Sequence, residues 1–190
     1  VLAFNTPEMF ESHFSIPMAG AVLNTINIRL DAVSIAHILD DSNAKILLVD
    51  RELFEVASKS LSACSASPKV VVIEDEFADS RPEVSENIIK YESFVSDGDP
   101  LFELHRPYDE WQPLSLNYTS GTTGRPKGVV YHHRGSYLMS MGTVIGWELP
   151  NHPVYLYSVP MFHCNGWGHA WTMAAVAGTV VCLRAFSPEK

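Results

Sequence analysis

The chain is 190 residues long, 46% hydrophobic, and carries a formal net charge of −9. That hydrophobic share excludes a disordered chain and suffices for a domain with a substantial core. The acidic balance argues against nucleic acid or an anionic membrane surface as a partner, and the acids crowded between Glu74 and Glu110 read as a solvated face.

The first signal along the chain is Thr6-Pro7-Glu8, a helix start. It predicts a helix over residues 6–18 with Met9, Phe10 and Phe14 on one side. Residues 21–28 read as a strand. Asp31 begins a second helix with an apolar stripe of Val33, Ile35, Ile38 and Leu39. Residues 45–49 are a buried strand. Residues 52–63 are helical, with Leu53, Val56 and Leu61 facing inward, and residues 70–73 form a further β-branched strand. This alternation predicts an α/β fold with a mostly parallel sheet flanked by helices. Residues 74–113 are polar, acidic and proline-bearing. They read as an exposed connection with a short helix or two near 84–95.

Leu114-Ser115-Leu116-Asn117-Tyr118 alternates and reads as a strand, as does Val129-Val130-Tyr131. Residues 135–147 have helical spacing. Residues 154–159 form a strand ended by Pro160, residues 168–177 a helix ended by Gly178, and residues 179–183 a buried strand. The apolar run 170–183 is too short to cross a bilayer. Ser187-Pro188-Glu189-Lys190 reads as the start of a helix that continues past Lys190. There is no internal repeat and no low-complexity tract. The three cysteines, Cys64, Cys164 and Cys182, are irregularly spaced. They predict free thiols in a reducing compartment. No signal-peptide pattern opens the chain.

Between the strands at 114–118 and 129–131 lies YTSGTTGRPKG, residues 118–128. Gly121, Gly124 and Gly128 let the backbone turn steeply and approach a ligand. Thr119, Ser120, Thr122 and Thr123 supply short hydroxyl donors, and successive backbone N–H groups in such a turn form a concave anion site. Lys127 adds a mobile positive charge behind Pro126. The inventory suits a polyphosphate better than a plain surface turn. The loop is neither a Walker A loop, since Lys127 is followed by Gly128 and a strand, nor G-x-G-x-x-G.

This stretch resembles the phosphate-loop signature of the adenylate-forming (AMP-binding) enzyme superfamily, [ST]-S-G-[ST]-T-G-x-P-K-G, and matches it at every position. VPMFHCNGW, residues 159–167, is similar to that superfamily's downstream acyl-pocket motif, at a suitable distance from Lys127. GAVLNTINIRLDA, residues 20–32, resembles the plant acyl-activating branch, which includes CoA ligases for short-chain, benzoic and cinnamic acids. The resemblance spans essentially the whole chain. It implies that residues 1–190 are an incomplete part of the large N-terminal AMP-binding domain, with the C-terminal domain absent.

The resemblance also implies a reaction. A carboxylic acid attacks the α-phosphorus of ATP to give acyl-AMP and pyrophosphate, and CoA thiol then displaces AMP. Thr119, Ser120, Gly121, Thr122, Thr123, Gly124 and Lys127 are the expected nucleotide-binding set. Lys127 and His163 are the expected catalytic pair, with His163 near the substrate carboxylate. ATP, Mg²⁺ and CoA are the implied cofactors and co-substrates, although no carboxylate in the chain is an obvious Mg²⁺ ligand. The partners are small molecules, with no nucleic acid and no membrane span. The location is intracellular, in peroxisome or cytoplasm.

Other readings stand beside these. His163 also reads as a structural histidine bonded to a carbonyl. His132-His133-Arg134 either reach phosphate or cap the following helix. Trp167 and Trp171 are candidate walls of an apolar pocket. Zinc held by His163, Cys164 and His169 lacks the usual paired spacing, and a Cys164 nucleophile paired with His163 or His169 lacks a visible orienting group. Arg125 occupies the variable position of the motif and is expected to face solvent. Functional alternatives are a nucleotide-binding or inert piece without turnover, and another adenylating chemistry such as amino-acid adenylation or a luciferase-like oxygenase.

Overall fold

Among the described residues the strands are shared among three small sheets. The computed structural model describes residues 1–119 and 125–186. In chain order the elements begin with α1 (Pro7–Met18), β1 (Leu23–Asn24), α2 (Ala32–Asp41), β2 (Ile46–Asp50), α3 (Phe54–Ala63) and β3 (Lys69–Ile73). Next come β4 (Ile89–Lys90), α4 (Tyr91–Ser96), β5 (Pro113–Thr119) and β6 (Lys127–His132). The last are α5 (His133–Gly146), β7 (Val154–Tyr157), α6 (His169–Ala175) and β8 (Thr179–Cys182). The sheets run β1-β5-β6, β2-β3-β4 and β7-β8. The pairs β1–β5, β2–β3, β3–β4 and β7–β8 are all parallel, as the strand–helix alternation predicts.

The chain divides into two compact units. The first holds Val1–Ala3, Ile26–Glu103 and Tyr118–Gly128. Its sheet is in register from Ile46↔Lys69 to Asp50↔Ile73. Leu2 extends its edge: its N–H donates to Leu48 O at 2.8 Å, and Asp50 N–H donates to Leu2 O at 2.9 Å. Ile35, Ile38 and Leu39 of α2 and Ala57 of α3 pack with Leu47, Val49 and Val72 into its core. Asp31 starts α2 by accepting Ser34 N–H at 2.8 Å, satisfying one of the unpaired donors of the first turn. Val33, expected on the apolar stripe, is 75% exposed. Two positions before Ile35, it sits on the opposite side of a helix of about 3.6 residues per turn. The connection at 74–113 does contain a short helix, α4, preceded by the edge strand β4.

The second unit holds Phe4–Thr25, Leu104–Asn117 and Val129–Lys190. Thr6 caps α1 through Met9 N–H at 3.3 Å, as the sequence predicts. The strand expected over 21–28 is confined to Leu23–Asn24, because Ile26 N–H leaves the ladder and donates to Val1 O at 2.9 Å. Pro7–Met18 buries Met9, Ser12, His13 and Pro17. Among the described residues no helix is long and apolar enough to cross a membrane.

His13 gives this unit a pH dependence. Its Nδ1–H donates to Met9 O at 2.9 Å, while its Nε2 is buried without a partner among the described residues. Burial pushes its pKa down to about 4, only partly offset by nearby backbone carbonyls. In the unfolded chain the imidazole takes up its proton near its ordinary pKa of about 6.5, so the unfolded state binds more protons between those values. This contribution to stability is therefore complete above about pH 6.5 and lost as pH falls toward 4, by up to about 3 kcal/mol. Urea unfolding of wild type and His13→Gln across that range checks it. The wild-type-minus-variant difference should shrink steadily with falling pH, and a pH-independent difference contradicts it.

Candidate functional site

In the first unit, Thr119 closes β5 and Lys127 opens β6, and these strands are neighbours in one sheet. Ser120, Gly121, Thr122, Thr123 and Gly124 lie outside the described residues. Both shoulders of the loop are tied to α2. Before it, Tyr118 Oη donates to Asp41 Oδ2 at 2.6 Å. After it, His37 Nε2 lies 3.3 Å from Pro126 O, and since a carbonyl only accepts, Nε2 carries the proton. His37 and Asp41 stand one turn apart on one face of the helix. Partial burial, reinforced by the Asp41 contact, pushes the Tyr118 phenol well above its ordinary range. Thr119 and Lys127 are both exposed, and no ion pair among the described residues engages the Lys127 ammonium. An exposed ammonium with no ion pair among the described residues, next in sequence to a glycine–hydroxyl loop, fits a polyanion.

In the second unit the approach to His163 is fixed by Asn5. Its Nδ2 donates to Tyr157 O and Val159 O, both at 2.9 Å, and its Oδ1 accepts Met161 N–H at 2.8 Å. These bonds satisfy backbone groups on both sides of Pro160, which has no N–H of its own. His163 itself is exposed, with Nδ1 3.7 Å from Cys164 Sγ.

The chain then does something that its composition does not announce. Cys164, Asn165, Gly166, Trp167 and Gly168 all have positive φ, at 46°, 43°, 57°, 57° and 68°. Left-handed backbone costs a non-glycine residue about 1–2 kcal/mol, so the surroundings must hold this turn in place. Part of the hold is visible at Gly166, whose carbonyl accepts the Tyr157 hydroxyl at 2.8 Å.

Above the turn lies a cavity of about 400 Å³, lined by Val130, Tyr131, His132, Gly135, Ser136, Met139, Cys164 and Trp167. Its walls are largely apolar, with Tyr131, His132, Ser136 and Cys164 as polar points. Ser136 Oγ is buried and has no partner among the described residues. Burial, with a smaller contribution from Cys164, raises the Tyr131 pKa. Such a cleft can take a small apolar body with a polar end. Trp167 lines it as the sequence suggests. Trp171 turns away, its indole N–H donating to His13 O at 3.0 Å.

His132 resolves to the capping role, its Nδ1 accepting Gly135 N–H at 2.9 Å to start α5. Trp111 packs on its ring at 4.6 Å between centroids. His133 N–H donates to Gln112 O at 3.2 Å, and Arg134 pairs with Glu110 at 2.5 Å. His169 packs among Trp147 and Tyr155, and burial lowers its pKa. Among the described residues no group of three His, Cys, Asp or Glu side chains could hold a metal ion. These residues therefore offer no cage for Mg²⁺.

Thr119 and Lys127 thus fall in one unit and His163 in the other. Sequence reasoning passed over Asn5, Thr25, Ser115, Asn117 and Asn165, all buried polar residues around the His163 turn. A faint signal existed for two of them. Ser115 and Asn117 occupy alternate positions of a strand, so they share one face.

The AMP-binding enzyme family matches residues 1–190. The chain belongs to this family. It is 46% identical over 194 residues to acetate–CoA ligase CCL3 of Humulus lupulus, covering 97% of the chain and 34% of that protein. It is 47% identical over 198 residues to the peroxisomal trans-cinnamate:CoA ligase of Petunia hybrida, covering 97% of the chain and 35% of that protein. The fold is that of ATP-bound MatB from Rhodopseudomonas palustris, with a TM-score of 0.79 at 18% identity, over 99% of the chain and 35% of that structure. The chain therefore spans about a third of the length of these AMP-binding relatives.

Proposed function

We propose that this chain is part of the large N-terminal domain of an AMP-forming carboxylic acid–CoA ligase. The observation that carries the reading is the complete YTSGTTGRPKG signature, set between two neighbouring strands with an exposed lysine after it. In the proposed reaction a carboxylate oxygen attacks the α-phosphorus of ATP. The bond to the bridging oxygen of the β-phosphate breaks, and pyrophosphate leaves with its electron pair. CoA thiol then attacks the acyl carbon, loses its proton and displaces AMP.

Charge builds on the departing pyrophosphate, so donors must already point there. Thr119, Ser120, Gly121, Thr122, Thr123 and Gly124 would supply them, and Lys127 would neutralise the charge. Mg²⁺ would arrive with the nucleotide, held chiefly by phosphate oxygens and water. His163 would stand near the acid's carboxylate, and the cavity beside Trp167 would take its apolar part. The names of the hop and petunia relatives support acids from acetate to cinnamate, and the petunia name supports a peroxisomal location.

The test is pyrophosphate exchange into ATP by the intact enzyme with acetate, butyrate, benzoate and cinnamate. Exchange that depends on one of these acids, followed on CoA addition by thioester and AMP in equal amounts, supports the reading. No acid-dependent exchange with any of them overturns it. A second reading, nucleotide binding without turnover, is favoured for the isolated chain by its one-third coverage of its relatives. Calorimetric titration of the chain with ATP, paired with a thioester assay, separates the two.

A further inference from the structure

The left-handed turn after His163 is held by side chains that nothing else in the site employs. Thr25, Ser115, Asn117 and Asn165 are all buried, at 3%, 0%, 6% and 0% exposure. They come from the end of β1, from β5 and from the turn itself. Asn165 Oδ1 accepts Ser115 Oγ–H at 2.6 Å and Asn117 Nδ2–H at 2.5 Å. Asn165 Nδ2 donates to Thr25 Oγ1 at 3.2 Å. The cluster also holds the backbone on either side of His163 and Cys164. Thr25 Oγ1–H donates to Phe162 O at 3.0 Å, and Asn165 N–H donates to Asn117 Oδ1 at 3.2 Å.

Buried polar side chains normally satisfy one another or leave the core. Here their bonds to the Phe162 carbonyl and the Asn165 N–H bracket His163 and Cys164. Asn165 is the non-glycine type that tolerates left-handed backbone best, and its side chain is the hub of the cluster. A fully satisfied buried network of this kind specifies one conformation.

We infer that the Thr25–Ser115–Asn117–Asn165 cluster is the positioning device of the acyl-activating site, with Asn165 its central positioning residue, holding Cys164 and Trp167 at the cavity, and His163 next to them in the chain, by locking the turn left-handed. This rests on the acid–CoA ligase reading above. None of the four need touch substrate. They act through the backbone of residues 162–165.

The experiment uses the intact enzyme with Asn165→Gly, Thr25→Val and Thr25→Ser. Glycine keeps the left-handed backbone and removes only the side chain. Valine keeps the shape of threonine and removes its hydroxyl, and serine restores that hydroxyl. In Asn165→Gly and Thr25→Val, kcat for acid-dependent pyrophosphate exchange should fall about tenfold or more, with KM for ATP within about twofold of wild type. Thr25→Ser should recover most of kcat. Peptide-resolved alkylation with iodoacetamide gives a readout without catalysis. Cys164 should label several-fold faster in the two damaging variants, on the order of one lost hydrogen bond, while Cys64 and Cys182 keep their wild-type rates.

A kcat within about twofold of wild type in both variants overturns the inference. So does a rise in labelling of all three cysteines together, which marks general destabilisation. If wild type shows no exchange with any acid, the ligase reading fails on its own. Cys164 labelling then still decides whether the cluster locks the turn.

Discussion

Replacing Lys127 by alanine in the intact enzyme should lower kcat for acid-dependent pyrophosphate exchange by about 100-fold or more. The reason is electrostatic. As the α–β bond breaks, negative charge accumulates on a pyrophosphate that must be stabilised before solvent can reorganise around it. Lys127 stands at the first position of β6, exposed, and engaged by no ion pair among the described residues. No ion pair among the described residues has to break for its ammonium to meet phosphate. Thr122→Ala removes one hydroxyl donor and should cost less, about tenfold, as expected for a single hydrogen bond to a charged group. Arg125→Ala, at the variable position of the loop, should leave exchange near wild type and serves as the control for simple loss of charge. Wild-type exchange in both Lys127→Ala and Thr122→Ala would remove the phosphate-loop assignment.

Gly166→Ala should destabilise the second unit by about 3 kcal/mol or more, read as a lower urea midpoint with an unchanged slope. Two costs combine. A Cβ at this position would lie 2.1 Å from Tyr157 Oη and 2.9 Å from its Cζ, far inside contact distance. The ring cannot simply swing away, because Tyr157 is 0% exposed and its hydroxyl donates to the Gly166 carbonyl at 2.8 Å. The second cost is conformational, since φ at this residue is 57° and alanine adopts that backbone at a penalty of about 1–2 kcal/mol. Combining Gly166→Ala with Tyr157→Phe removes the atom at 2.1 Å, so the double variant should be less destabilised than the sum of the singles. Strict additivity would show that the Tyr157 hydroxyl is not what excludes a side chain at 166.

Much of the scaffold was legible because its local signals are strong. Thr6 and Asp31 announce helix starts by type, and both accept the backbone N–H expected of a cap. The β-branched runs at 46–50 and 69–73 pair in parallel, as buried α/β strands do. The strand at 114–118 was legible as a strand but not in its burial. Alternation alone would send Ser115 and Asn117 to solvent, yet both are buried while Leu116 is only partly so. The polar face of that strand is turned inward to meet Asn165, a partner 48 or more residues along the chain. Periodicity reports which residues share a face. It does not report which face the rest of the molecule covers.

The loop proposed to hold phosphate, the His163 motif and the family they belong to were written in consecutive residues, because a loop built to grip a polyphosphate needs glycines, hydroxyls and a lysine in fixed order along one backbone. The clamp of α2 on both shoulders of that loop, the left-handed run at 164–168, and the buried cluster that holds it were decided only by folding. The clamp and the cluster join side chains far apart in sequence, whose hydrogen bonds become worth making only when tertiary packing removes the water that would otherwise satisfy them, and the run takes its backbone from the cluster that holds it.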